Sequence, residues 1–127
     1  MNTDRTSLNA LTERIIGRAF TVANVLKCGY AEKAYENSLA HELTKNGLRV
    51  QQQFGITVHY DGIVVGSYTC DLVAEEVVMV ELKAVKSLDP AHGAQCLNYL
   101  TATGPPICLL LNFGNPRLEI RRLVKGP

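Results

Sequence analysis

Apolar residues recur at helical spacing over the first third of the chain and at alternating spacing after it. Between residues 8 and 26 they stand three or four positions apart, which predicts an amphipathic helix. A second helix is predicted from about residue 31 to 46, where Asn46-Gly47 is a stop signal. Residues 1–7 are polar and offer little to pack, so we expect this lead to be flexible.

From residue 49 onward the apolar positions alternate, which predicts strands. Asp61-Gly62, between two such runs, is a strong hairpin-turn signal. Asp89 and Pro90 predict the start of a third helix, to about residue 102, because Asp caps helices well and Pro suits the first helical position. The predicted strands cover residues 49–60, 63–73, 77–83, 106–113 and 117–124.

The resulting order is α-α-β-β-β-α-β-β, over 127 residues, a length typical of one domain. The predicted fold class is therefore α/β (α+β): a single domain with a mixed β-sheet flanked by helices. The strand at 106–113 is almost entirely apolar, so we expect it to be buried on both faces. A crossover through the third helix would return it parallel to a strand of the preceding meander.

Composition and charge exclude several classes of protein. The net charge of +1, from 13 Lys and Arg against 12 Asp and Glu, argues against a globally basic nucleic-acid binder. Any such role must rest on a local patch. The polar N-terminus does not resemble a signal peptide, and no apolar run reaches the roughly 18 residues of a membrane span. We therefore predict a cytoplasmic protein that makes no membrane contact.

The four cysteines, Cys28, Cys70, Cys96 and Cys108, have no C-x-x-C spacing, which argues against a zinc site. Because they lie in apolar stretches, we expect small buried side chains in a reducing compartment rather than disulfides.

The stretch DLVAEEVVMVELK is mostly apolar, yet it begins with Asp71 and ends with Glu81 and Lys83. Glu81 and Lys83 are two positions apart on a strand, so they share a face. The turn before them decides whether Asp71 joins that face. With a two-residue turn Asp71 would oppose Val78 and face away, whereas with a three-residue turn it would oppose Met79 and share their face. A bulge or bend near Asp71 could also bring its side chain to the face of Glu81 and Lys83.

Two carboxylates that converge at a strand end make a hard oxygen site, which suits Mg²⁺ or Mn²⁺. A lysine beside them can orient or deprotonate a water molecule and can offset charge that develops on a phosphate. Asp71, Glu81 and Lys83 therefore point to hydrolysis of a phosphodiester.

The same residues carry a family resemblance. Asp71, nine further residues and then Glu81-x-Lys83 resemble the core signature of the PD-(D/E)XK nuclease superfamily, although Cys70 stands where that signature often has proline. The segment from Gly29 to Tyr35 is similar to the G-x-x-E-x-x-Y pattern of a family of small bacterial proteins, the GxxExxY family. Gln95 and Tyr99 form a Q-x-x-x-Y pattern similar to that of RecB-like exonucleases, and the resemblance extends from about Leu11 to Val124.

The resemblance implies a restriction-endonuclease-like core and a role for each of these residues. Asp71 and Glu81 would be metal ligands, Glu32 would add an acidic ligand, and the cofactor would be Mg²⁺ or Mn²⁺. Lys83 would activate water, whereas Gln95, Tyr99 and Tyr35 would face water or substrate. The expected partner is nucleic acid, DNA rather than RNA, and nucleases of this size often form homodimers.

A basic cluster near the C-terminus adds a candidate phosphate contact, with Arg117 and Arg121 on one face of the last predicted strand. The alternative for this cluster is a charged edge strand that discourages aggregation.

Each assignment has a simpler alternative. Glu81 and Lys83 could form a surface ion pair, and Glu36 could replace Glu32 one turn on. Asp89 is better explained as a helix cap than as a ligand. Gln95 could be an ordinary polar helix residue, and Tyr99 could belong to the core. For the whole chain, the alternatives are a nuclease-like fold that binds nucleic acid or protein without cutting it, and a structural or regulatory dimer.

Overall fold

The computed structural model describes residues 5–126, and it confirms the predicted order of elements. The first helix begins at Arg5, ahead of the predicted start, so part of the lead expected to be flexible is helical; residues 1–4 lie outside the described part. The helices are α1 (Arg5–Leu26), α2 (Glu32–Lys45) and α3 (Pro90–Thr101). The strands are β1 (Val50–Tyr60), β2 (Ile63–Ala74), β3 (Val78–Lys83), β4 (Ile107–Asn112) and β5 (Glu119–Val124).

The five strands form one mixed sheet in the order β1-β2-β3-β4-β5. Neighbouring strands are antiparallel except β3 and β4, which are parallel because α3 carries the chain across between them. All six residues of β4 are buried, as its apolar sequence predicts. Within residues 5–126, no helix is long and apolar enough to cross a membrane.

Helices cover both faces of the sheet, so there are two apolar cores. The first lies between the sheet and the pair α1 and α2, and it contains Ile15, Leu39, Leu43, Leu72, Val80, Leu109 and Leu111. The second lies under α3 and contains Ile56, Cys70, Met79, Cys96, Leu100, Cys108 and Leu110. Cys28 is exposed, contrary to the prediction that every cysteine is buried, because it lies in the loop between α1 and α2.

Local turn and cap chemistry fixes the ends of these elements. Asp61 and Gly62 both have positive φ, as the favoured two-residue hairpin turn requires. The Asp89 carboxylate accepts a hydrogen bond from the Ala91 amide at 2.6 Å, and the His92 side chain accepts one from the Asp89 amide at 3.1 Å. Asp89 is therefore a helix cap, as predicted.

The turn between β2 and β3 sets the register on which the site depends. Ala74 pairs with Val78, which leaves a three-residue turn at 75–77, and Glu75 and Glu76 both have positive φ. The turn is therefore odd, as the site requires. The predicted opposition of Asp71 to Met79 is wrong, because β2 runs on through Ala74. Met79 pairs with Val73 instead, and the register, continued one residue beyond the last pair (Leu72 and Val80), would set Asp71 opposite Glu81.

Candidate active site

Asp71 and Glu81 are joined by side-chain hydrogen bonds at the point where β2 leaves β3. The Asp71 amide donates to Glu81 Oε1 at 2.9 Å, and the Leu82 amide donates to Asp71 Oδ2 at 2.8 Å. The paired part of the two strands ends at Leu72 and Val80. Each carboxylate thus takes the place of a backbone carbonyl as a hydrogen-bond acceptor. The two acids lie next to each other in the opening, which is the gap where β2 and β3 separate beyond Leu72 and Val80.

The strands bend at the same place. Gln53 has a φ of 54° and lies across from Asp71 in the register of β1 and β2. Leu72 belongs to the core under α1 and α2, whereas Cys70 belongs to the core under α3. A regular strand would place these two residues on one face. The bend therefore lies at Asp71, between the two helical layers.

Burial and like charge favour the neutral forms of both acids. Burial, followed by the charge of Asp71, raises the pKa of Glu81 to about 7. Burial is also the main cause that raises the pKa of Asp71, and the charges of Glu36 and Glu32 add to it. The charge of Lys83 lowers both pKa values without offsetting these effects. The site is therefore short of positive charge.

Lys83 lies at the end of β3, two residues after Glu81 and on the α3 side of the sheet, like Met79. None of the ion pairs found among residues 5–126 involves Lys83. The alternative of a simple ion pair with Glu81 therefore does not hold in this structure. Lys83 affects the two acids through its charge, which lowers both pKa values without a direct ion pair.

A buried amide holds the segment that follows Lys83. Asn112 is fully buried and uses all of its hydrogen-bonding groups. Its Oδ1 accepts from the amides of Val85 at 3.0 Å and Gly114 at 2.9 Å. Its Nδ2 donates to Val85 O at 2.9 Å and to Glu119 Oε1 at 2.7 Å. Sequence reasoning missed Asn112, although an amide ending an otherwise apolar strand, ICLLLN, was a usable signal.

Glu32 and Glu36, two of the three glutamates of α2, differ in their surroundings. Glu36 is buried, and it accepts hydrogen bonds from Lys33 at 3.0 Å, Gln52 at 2.8 Å and Gln53 at 2.9 Å. Glu32 is exposed in the first turn of α2. The contacts of Glu36 leave Glu32 as the acid of α2 that is free to turn toward the opening. Gln52 and Gln53 of β1, which contact Glu36, were also missed, because polar residues in a strand give no sign of their partners.

Gln95 and Tyr99 lie one turn apart on α3 and line a cleft of about 800 Å³ between this helix and the β1–β2 hairpin. Tyr99 is 8% exposed and also packs in the core under α3. Burial raises the pKa of Tyr99, and the charge of Glu81 is the next cause. Both residues therefore face this cleft, and the charge of Glu81 reaches Tyr99.

Tyr35, Arg117 and Arg121 lie away from the acids. The Tyr35 side chain is fully buried, its hydroxyl donates to Lys27 O at 2.6 Å, and its ring stacks on Phe113. It stabilises the loop before α2 and has no surface for a substrate. Arg117 is exposed in the loop before β5, not on that strand as predicted. Arg121 is exposed on β5, two strands from Glu81.

The fold and these side chains define a class of protein: an α/β sheet with a buried carboxylate (Glu81), a half-buried carboxylate (Asp71) and a lysine at the point where two neighbouring strands separate. A family model of the PD-(D/E)XK nuclease superfamily matches residues 9–123. The chain therefore belongs to the PD-(D/E)XK nuclease superfamily.

Comparison with solved structures agrees with this assignment. The chain is similar to an alkaline exonuclease (LHK-Exo) from Laribacter hongkongensis, with a TM-score of 0.53 and 14% identity, over 99% of this chain and 73% of that one. At this identity the likeness shows the fold, and it confirms the predicted nuclease-like core. No curated protein matches the chain.

Nucleases of this superfamily typically use divalent metals, and the chemistry of the site fits such an ion. Asp71 and Glu81 offer hard oxygen donors, and each carboxylate keeps a second oxygen beyond the one bonded to a backbone amide. Among residues 5–126, no group of three or more His, Cys, Asp or Glu side chains stands close enough to hold a metal. Water, a substrate phosphate or movement of Glu32 would have to complete the ligand set.

Proposed function

We propose that this protein is a metal-dependent nuclease that hydrolyses phosphodiester bonds, with Asp71 and Glu81 as ligands of Mg²⁺ or Mn²⁺. The paired hydrogen bonds that bring these two acids together carry the proposal. Their raised pKa values support it, because a bound cation would stabilise the charged forms that burial and neighbouring negative charge disfavour.

The side chains have separate tasks in this proposal. A divalent cation bound by Asp71 and Glu81, with Glu32 as a further ligand, would supply Lewis-acid polarisation of a phosphate oxygen. Lys83 orients the attacking water and offsets negative charge on the phosphate. Gln95 positions the water from α3, and the Tyr99 hydroxyl contacts the substrate. Arg121 and Arg117 would contact the backbone phosphates farther from the cut.

We also propose finer assignments that rest on the motifs. The pattern that runs from Gly29 through Glu32 to Tyr35 supports membership of the bacterial GxxExxY family. DNA is the first substrate to test, a homodimer is the expected assembly, and the cytoplasm is the expected location.

A cleavage assay tests the proposal. The protein is incubated with single-stranded, double-stranded and branched DNA and with RNA, under Mg²⁺ or Mn²⁺. We expect cleavage by the parent and a loss of at least about 100-fold in Glu81→Ala and Lys83→Ala, since oriented charge and proton transfer each contribute on that order.

Two neighbouring residues provide matched controls. Glu76 is an exposed acid in the turn of the same hairpin, and Lys86 is an exposed lysine three positions after Lys83. Glu76→Ala and Lys86→Ala should cleave like the parent. Equal activity in all four variants would show that the acids and the lysine are not the active site.

A second candidate function is nucleic-acid binding without cleavage. One observation favours it: the described residues do not gather three potential metal ligands. In that case the parent would bind nucleic acid equally well in EDTA, Lys83→Ala would retain the affinity, and no condition would give cleavage.

A further inference from the structure

The cleft between the β1–β2 hairpin and α3 has a lining without fixed charge. It measures about 800 Å³, within the range of pockets that take organic ligands. The described residues that line it include no Lys, Arg, Asp or Glu. Its polar groups are amides, hydroxyls and one imidazole, among them Gln95, Asn98 and His59. Such a lining suits a neutral ring with polar edges.

Tyr68 gives this cleft an exposed aromatic face. Its side chain is 50% exposed, and its ring centroid lies 6.0 Å from that of Tyr99 at an angle of 42°. Gly66 makes room for the ring, since a Cβ atom there would lie 2.9 Å from a Tyr68 ring carbon. The half-exposed ring therefore lies over Gly66 beside Tyr99 and has a face left to stack on.

The cleft lies next to the site of the two acids, although neither acid is among the residues that line it. Tyr68 precedes Asp71 by three positions on β2, a distance of about 10 Å along a strand. Tyr99 lines the cleft and lies within electrostatic range of Glu81. A chain molecule with a phosphate at the acids would thus place its next uncharged part in the cleft.

We propose that this cleft binds the bases of an unpaired nucleic-acid strand, which stack on Tyr68 and hydrogen bond to Asn98. The nucleic-acid class of the ligand rests on the proposed function, while the choice of bases rests on the cleft. Stacking on an aromatic side chain requires an unstacked base, so a single-stranded end fits and an intact duplex does not. The described lining also offers no cationic side chain to contact the phosphates of a duplex.

Binding of fluorescent oligonucleotides, measured by anisotropy in EDTA, tests this inference without cleavage. Three ligands of equal length are compared: a single strand, its duplex, and an abasic single strand that keeps the phosphates and lacks the bases. We expect the single strand to bind at least 10-fold more tightly than either of the others, because only it presents free bases.

Substitution at Tyr68 tests the assigned residue. Tyr68→Ala should weaken single-strand binding about 5- to 150-fold, the range expected for one stacked base, and Tyr68→Trp should restore it. The loss should be the same at low and high salt, because no phosphate contact is removed. Tyr60→Ala is the matched control, since Tyr60 is a 73% exposed tyrosine of the same hairpin outside the cleft lining.

A second variant tests the cleft independently, so that the inference can be checked even if Tyr68→Ala does not fold. Ala94 is an exposed residue of α3 that lines the cleft, and Ala94→Leu would narrow the cleft while keeping the helix and both tyrosines. It should weaken single-strand binding without affecting the abasic strand.

The outcomes separate this inference from the proposed function. Base-dependent binding that Tyr68→Ala abolishes, in a protein that never cuts, would support the cleft and reject the nuclease. If the protein cleaves nucleic acid, but its single-strand affinity changes neither with loss of the bases nor with Tyr68→Ala, the nuclease proposal is supported and base binding in the cleft is rejected. Absence of single-strand binding, or equal affinity for the abasic strand, would also overturn the inference.

Discussion

At the scale of single residues, the main feature is an acid whose charged form the fold disfavours. Glu81 is 5% exposed and ends a buried strand, beside the second acid Asp71. Its pKa rises from an ordinary 4.5 to about 7. Below its ordinary pKa the acid is neutral in both the folded and unfolded states and has no effect on stability. As the pH rises toward 7, the unfolded state releases its proton first, so the folded state loses stability.

The first prediction concerns the neutral analogue of this acid. In EDTA, Glu81→Gln should lose less stability than the parent between pH 4.5 and pH 8, by at most about 3 kcal/mol. The Gln carbonyl oxygen can still accept the hydrogen bond from Asp71. Urea denaturation at the two pH values measures the difference.

Glu76→Gln is the control for this experiment, because Glu76 is an exposed acid in the turn of the same hairpin. It should follow the pH dependence of the parent. If the stability of Glu81→Gln falls with pH as much as that of the parent, the pKa of Glu81 is not raised in the folded protein.

At the scale of elements, the strand that ends at Lys83 is followed by a loop packed closely against the end of β4. A Cβ atom at Gly114 would lie 2.1 Å from Val85 O and 2.3 Å from Val85 N. The Asn112 side chain also hydrogen bonds to both the amide and the carbonyl of Val85. Glycine and asparagine together therefore fix the path of the chain directly after Lys83.

The second prediction compares two glycines in loops next to β4. Gly114→Ala should destabilise the protein by about 3 kcal/mol, because the new methyl group meets backbone that cannot turn away. Gly104→Ala should have little effect, since nothing lies within 4 Å of a Cβ atom there. Urea denaturation of both variants checks this, and equal stabilities would contradict the close packing.

Sequence patterns predicted these elements well, but they could not fix the geometry of the site. Alternation of apolar residues gave the strands, and Asp61-Gly62 gave the first hairpin turn, because the chemistry of each is local. Glu75 and Glu76 carry no turn signal, so neither the turn length nor the register of Asp71 could be read from them. The contacts of Asn112 with Val85 and of Gln53 with Glu36 depend on neighbours that are distant in the sequence.

At the scale of the whole molecule, the sheet gathers the negative site from several elements. Asp71 comes from β2, Glu81 from β3, and the charges of Glu32 and Glu36 come from α2. A net charge of +1 hides this local excess, which composition alone could not reveal. Binding of a cation at the acids should therefore be coupled to the stability of the whole fold.

The third prediction follows from this coupling. At pH 8, Mn²⁺ at 100 times its dissociation constant should stabilise the parent by about 2.7 kcal/mol. The double variant Asp71→Asn, Glu81→Gln should gain nothing, because its amides bind the cation poorly. Thermal unfolding with and without Mn²⁺ measures the effect, and equal stabilisation of both proteins would place the cation elsewhere.

The parallel pairing of β3 with β4 also has a consequence for the order of folding. Two antiparallel strands can meet across a short turn, but β4 can join β3 only after the chain has closed a loop through α3. Contacts between distant parts of a chain form slowly, so we expect the β1–β2–β3 meander to assemble first. Asp71 and Glu81 would then meet early. The Asn112 contacts that fix the chain after Lys83 would form in the final, rate-limiting step.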